Sequence, residues 1–170
     1  MQGGIINYAV YEDGSEYRGI ATVTLPDVNL KVLTVNGAGI AGDVEMPVIG
    51  HIDAMTGTIN FLDAPEAAYK LAEQRRHLVE FRVAHEEYDE TAGKLVPKGQ
   101  KHICEIIPKK IGGGTLAPSA AQGVSGDYDF YSLKTIVNGK VVLDVCPAEG
   151  RYIDASGKNA LAQVNKILGK

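Results

Sequence analysis

The 170-residue sequence has no tryptophan, two cysteines and four histidines. It also lacks any uninterrupted apolar run of the roughly 18 residues that a membrane-spanning helix needs, or of signal-peptide length. These absences predict a soluble product of a reducing cytosol that does not insert into membranes. Cys104 and Cys146 are far apart and form no C-x-x-C pair, so buried reduced thiols are expected rather than a bridge or a metal knuckle. Lys and Arg total 17 against 21 Asp and Glu, for a net charge of −4. Stable nucleic-acid binding needs clustered cations to neutralise phosphates, and the two basic pairs, Arg75-Arg76 and Lys109-Lys110, read as solvated ends of elements.

The motifs of common enzymes are missing too. There is no G-x-S-x-G, no Cys–His arrangement, no H-E-x-x-H, and no Gly-Lys-Ser/Thr after the triple glycine at 112–114. His51, His77, His85 and His102 have no zinc spacing, and the acidic run Glu86-Glu87 to Asp89-Glu90 lacks the ligand spacing and central glycine of a calcium loop. No catalytic residue, cofactor or metal is expected.

What is present points to a mainly β fold with flanking helices, built as one domain over 1–170. Twenty glycines separate many short runs rich in Val, Ile and Thr, the composition of strands divided by turns. Asp13-Gly14 and Asn138-Gly139 predict two-residue hairpins. Strands are expected at 5–11, 20–25, 54–61, 77–83, 101–107, 128–137 and 140–145. In 54–61, Met55, Ile59 and Phe61 alternate with Thr56, Thr58 and Asn60, giving one apolar and one polar face. A helix is predicted over about 64–76, capped by Asp63 with Pro65 in its first turn. Residues 115–126 read as a flexible crossing between sheets. A terminal helix at 159–168 carries Leu161, Val164, Ile167 and Leu168 as a stripe expected to complete the core.

The stretch 28–61 organises the rest. Gly37-Ala38-Gly39-Ile40-Ala41-Gly42 is a literal G-x-G-x-x-G, which would suggest a dinucleotide-binding enzyme if a helix followed. Pro47 and the β-branched Val44, Val48 and Ile49 oppose a helix, so the glycines have no helix terminus with which to hold a phosphate. Residues 37–53 instead read as a long loop without helix or hairpin signal, too apolar for a solvated linker. Either it lies against something outside its own domain, or it folds back on its own core as an Ω-loop. A ligand-binding β-sandwich module is the other alternative to be tested.

The order of these pieces resembles the major tail tube protein of contractile-tailed bacteriophages and phage-tail-like bacteriocins. The resemblance is carried by the Tyr-Glu-Asp-Gly turn, Leu25-Pro26, the Gly-Ala-Gly-Ile-Ala-Gly segment leading to Glu45-Met46-Pro47-Val48, the strand at 55–61 before a helix, and the hairpin at 131–145 followed by Tyr152 and Ile153. It implies a β-sandwich or barrel-like subunit, six copies of which close into a ring with one continuous inner β-barrel, the rings stacking into a tube. It implies that the loop reaches the neighbouring ring, with Ile40, Val44, Met46, Val48, Ile49 and Ile52 as contacts, and that Thr56, Thr58 and Asn60 face the lumen. The partners implied are further copies of the chain, a sheath, a baseplate and a tail terminator. The implied location is the virion tail or a tail-like particle, after synthesis in the bacterial cytoplasm.

Overall fold

The computed structural model describes residues 2–63 and 66–170. The chain opens with β1 (Gln2–Glu12) and β2 (Ser15–Tyr17), joined as an antiparallel hairpin. Asp13 and Gly14 both take positive φ, at 49° and 79°, as the expected two-residue turn requires. Next come β3 (Ile20–Thr24), β4 (Leu30–Val35), β5 (Val44–Ile52), β6 (Met55–Phe61) and the helix α1 (Glu66–Leu71). The long strands β7 (His77–Asp89), β8 (Lys94–Gly112) and β9 (Ser125–Val137) follow, then β10 (Lys140–Cys146), β11 (Arg151–Ile153) and the helix α2 (Ala162–Ile167).

Nine strands share one sheet, and β8 and β9 form its spine. On one side of β9, residues 125–130 pair with β6 and residues 133–137 pair with β10, while β8 runs along the other side. Register shifts at Glu105/Ile106 and Pro108/Lys110 interrupt the β8–β9 ladder, and such bulges bend strands. The sheet therefore turns from a layer ordered β3-β6-β9-β8 into a second ordered β2-β1-β7-β8-β9-β10-β11. The layers approach one another: Val23 and Leu25 flank the same cleft as Phe81, Val83 and His102.

The core lies between them. The alternation expected of β6 is present, with Met55, Gly57, Ile59 and Phe61 buried. They pack with Val10, Val79, Phe81, Cys104, Ile106, Tyr128, Phe130 and Leu133, while Ala68 and Leu71 of α1 add to the same cluster. Full burial of each large apolar side chain stabilises the fold by about 1.5–3 kcal/mol. Cys104 and Cys146 are buried free thiols, as expected, and burial pushes the Cys104 thiol up to about 12.

Four sequence expectations change. Residues 44–52 of the expected loop 37–53 form β5, which pairs antiparallel with β4 in a separate two-stranded sheet. Beyond its base at Gly50 and Ile52 this hairpin does not alternate in polarity, because there the rest of the chain covers neither of its faces, and Pro47 is tolerated because a two-stranded sheet consists only of edges. The helix expected over about 64–76 ends at Leu71, and its expected start at Pro65 lies outside the described residues. Beyond it, Arg75 pairs with Glu12 at 3.1 Å and Arg76 with Glu105 at 3.2 Å. His77 already pairs with Ile106 in the sheet, so tertiary contacts override a favourable helical sequence.

Residues 113–123 are tied rather than loose: the Thr115 amide donates to the Gln122 carbonyl at 2.8 Å, and Gln122 Nε2 donates to the Gly113 carbonyl at 2.6 Å. In the terminal stripe only Leu161 is buried; Val164, Ile167 and Leu168 are exposed, Ile167 at 84%. The stripe does not complete the core, because of its four apolar side chains only Leu161, just ahead of α2, packs into the body, and α2 itself is tied there through Asn165, which bonds the Gly150 carbonyl at 3.0 Å.

Candidate functional site

Two surfaces of opposite character lie next to each other. The first is the outer face of the β3-β6-β9-β8 layer. Since Ile59 and Tyr128 point inward, their strand neighbours must point outward. Thr56 Oγ1 donates to Asp129 Oδ1 at 3.2 Å, Thr58 Oγ1 to Asp127 Oδ1 at 3.0 Å, and Asn60 Nδ2 to Thr22 Oγ1 at 2.8 Å. Lys109 Nζ also reaches Asp129 Oδ1 at 3.2 Å. The three residues expected on a polar face are thus together, each held by a cross-strand partner.

Asp127, Asp129, Lys109 and Thr22 were not anticipated on this face. The signal for the two aspartates was present in the strict alternation of Gly126-Asp127-Tyr128-Asp129-Phe130. Lys109 was not legible, because the bulge near Pro108 breaks the period of β8. The layer also leaves two edges unpaired among the described residues. β3 pairs only with β6, and residues 107–112 of β8 pair only with β9, since the β7 ladder starts at Ile106. Pro108, which has no N–H, sits on this open half of β8.

The second surface is the β4–β5 hairpin. Val44, Met46, Val48 and Ile49 are exposed, Met46 at 55% and Ile49 at 65%. Ile40 stands exposed at the tip, its amide bonded to the Gly37 carbonyl at 3.1 Å. The G-x-G-x-x-G is therefore a hairpin tip that leads into a strand. Ile52 differs from the other five expected contacts: it is half-buried against the core at the hairpin's base. Leu30, Val32 and Leu33 on β4 are exposed as well, so both strands present apolar side chains to solvent. Contiguous exposed apolar surface of this kind is uncommon on a protein that functions as a monomer.

The base of the hairpin is built for a fixed direction. Between Leu30↔Ile52 and Val32↔Pro47 the register gains residues on β5, and Gly50 there takes a φ of +66°. Gly50 presses on Leu161, which is itself buried. The segment carrying Leu161 is secured by Asn159, whose Oδ1 accepts from the Tyr152 and Leu161 amides, both at 3.0 Å. Asn159 Nδ2 and Asn165 Nδ2 both donate to the Gly150 carbonyl, at 3.3 and 3.0 Å.

A buried polar cluster ties β1 and β2 to the start of β7. Glu12 Oε1 lies 2.7 Å from His77 Nδ1, Tyr17 donates to Glu12 Oε2, and His77 Nε2 faces the Glu73 carbonyl at 3.0 Å. Burial alone would raise the Glu12 pKa, but the hydrogen bonds from Tyr17 and His77 and the charges of His77 and Arg75 outweigh it and leave the carboxyl below its ordinary range. The Tyr17 hydroxyl is pushed up by burial and by its bond to Glu12. This is structural wiring between β1, β2 and the start of β7. No group of three or more His, Cys, Asp or Glu among the described residues is arranged to hold a metal ion.

Comparison with curated proteins returns no match. Among solved structures, the chain is similar to one from the sheath-tube complex of the extracellular contractile injection system PVC in its extended state. The TM-score is 0.54 at 9% identity, covering 77% of this chain and 88% of that one. It is also similar to a chain from the PVC sheath/tube terminator (TM-score 0.51, 9% identity, 77% and 94% covered). A third is a chain from the tube-terminating cap of the anti-feeding prophage (0.52, 11% identity, 76% and 87% covered). At such identities these likenesses concern the fold. A family model settles the kinship: residues 3–169 match that of phage tail tube protein FII, and the chain belongs to this family of structural tail tube proteins.

Proposed function

We propose that the chain is the repeating subunit of the inner tube of a contractile tail, of a phage or of a phage-tail-like bacteriocin, and that it works without catalysis. Six copies close side by side into a ring, the open edge of β3 in one copy meeting the open half of β8 in the next. Unpaired sheet edges invite further pairing, and closure removes them. Four strands from each of six copies form a barrel well beyond the roughly 16–18 strands at which such barrels leave an aqueous channel.

The observation that carries this reading is the coincidence, in one layer, of two open edges with a polar face. A layer open at both edges can propagate laterally, and its polar face then becomes the wall of a water-filled bore. That wall is rich in hydroxyls and carboxylates, with Thr56, Thr58, Asn60, Asp127 and Asp129 lining it and Lys109 neutralised by Asp129. Such a wall does not grip phosphates and release their counterions, which suits passage of DNA or ions. Rings stack through the apolar hairpin, with Ile40, Val44, Met46, Val48 and Ile49 as contacts. A sheath outside, a baseplate at one end and a terminator at the other complete the particle.

Negative-stain electron microscopy of the purified, untagged protein, with sedimentation on the same sample, tests the proposal. Rings or tubes with an axial channel are expected without any small ligand. A particle that stays discrete when seeded with tail fragments, and whose melting shifts with a dinucleotide or a sugar, would overturn it.

A further inference from the structure

Resting on the tube reading, we infer that the hairpin of one copy docks on the end of the next copy formed by Leu62 and the 113–122 loop, with Ile40 entering the pocket beside Leu116. Identical rings that stack with one polarity require a heterologous contact, in which a surface at one end of the subunit meets a different surface at the other. The hairpin leaves the body at the Met55 end of β6, where the Asp53 amide bonds the Asn29 carbonyl at 2.8 Å. Its receiver therefore belongs at the Phe61 end, about 20 Å away along a seven-residue strand.

That end carries its own exposed apolar residues. Leu62 is 63% exposed and Leu116, at 85%, is the most exposed large apolar side chain of the described residues. They lie where β8 gives way to β9, since Gly112 pairs with Ser125 and the Phe61 amide bonds the Val124 carbonyl at 2.7 Å. The loop encloses a shallow pocket of about 390 Å³ lined by Asp63, Thr115, Leu116, Ala117, Pro118 and Gln122. It is a formed receptor: besides the Thr115–Gln122 and Gln122–Gly113 bonds, Gly114 takes a φ of +73° so close to the Gln122 carbonyl that a Cβ would lie 2.3 Å from it.

The hairpin supplies a matching shape. Between Asn36 and Asp43, whose side chains bond at 3.3 Å, its tip consists of glycine and alanine except for Ile40, a single branched apolar side chain on a slender turn. The six residues of β4 reach about 20 Å, enough to extend from the body of one copy across the end of another.

Two variants and a cross-link test this. Leu116→Asp changes a solvent-exposed side chain, so the subunit is expected to fold as wild type by circular dichroism and to form single rings, with tube length reduced at least tenfold. Separately, Ile40→Cys and Leu116→Cys proteins are assembled together and treated with a short bis-maleimide. A cross-linked dimer is expected in the mixture and not in either protein alone, because the native thiols are buried. Leu116→Asp tubes of wild-type length, or no more cross-linking in tubes than in unassembled protein, would overturn the docking site while the tube reading stood. Wild-type protein that never forms tubes even when seeded would overturn both.

Discussion

Gly50 and Leu161 touch so closely that Leu161 must shift to admit any side chain at position 50: a Cβ there would lie 2.4 Å from Leu161 Cγ. Gly50 also occupies the left-handed region at φ +66°, where an L side chain costs about 1–3 kcal/mol. Gly50→Ala is expected to lower the melting temperature by roughly 2–12 °C, at about 2–4 °C per kcal/mol for a chain of this size. It should also impair stacking, since the hairpin's direction is set at this contact. Adding Leu161→Ala is expected to restore part of the loss, with a coupling of at least about 0.5 kcal/mol. Strictly additive melting shifts would show that the contact is not what is strained.

Met46→Asp with Val48→Asp places two charges on the exposed hairpin. Met46 is 55% and Val48 38% exposed in the single subunit, so the subunit is expected to keep its fold, with the unfolding free energy falling by no more than about 1 kcal/mol per site. Stacking should stop while rings persist, as read by electron microscopy. Tubes of normal length would remove the hairpin from the ring-to-ring contact.

The Glu12 cluster makes a signed prediction about acid. Glu12 is held below its ordinary value of 4.5 in the folded chain, so in the interval beneath 4.5 the unfolded chain binds more protons than the folded one. The stability that Glu12 contributes is complete above that value and is lost as pH falls through the lower folded one. Urea midpoints measured from pH 6 to pH 3 should therefore fall more steeply for wild type than for Glu12→Gln. Parallel curves would mean that Glu12 is not the titrating group.

Thiol chemistry tests the wall. Cys104 and Cys146 are both buried, and burial raises the Cys104 thiol, so the native protein should resist a small maleimide at pH 8. Thr58→Cys should react in open tubes and be protected when both tube ends are capped. An unreactive Cys at 58 in open tubes would take this face out of the lumen.

Much of this protein was legible in its residues. Asp13-Gly14 and Asn138-Gly139 specify their hairpins because only a few residue types accept positive φ at both turn positions. Met55 to Phe61 alternates because one face is buried and the other wet, a difference that period two records directly. Cys104 and Cys146 announced buried thiols by spacing alone.

Tertiary structure decided the rest, wherever a residue's partner lies far along the chain. The helix after Asp63 stops at Leu71 because Arg75 and Arg76 find Glu12 and Glu105. Residues 44–52 read as a loop because a hairpin covered on neither face beyond its base has no polar side to alternate with. The terminal stripe is outside the core because only Leu161 meets the body, against a glycine more than a hundred positions earlier. Local pattern determines which elements form and which face of each is apolar, through energies contained within a few residues. Which apolar faces meet, and which are left exposed for another copy, depends on contacts between distant segments that appear only when the chain is folded.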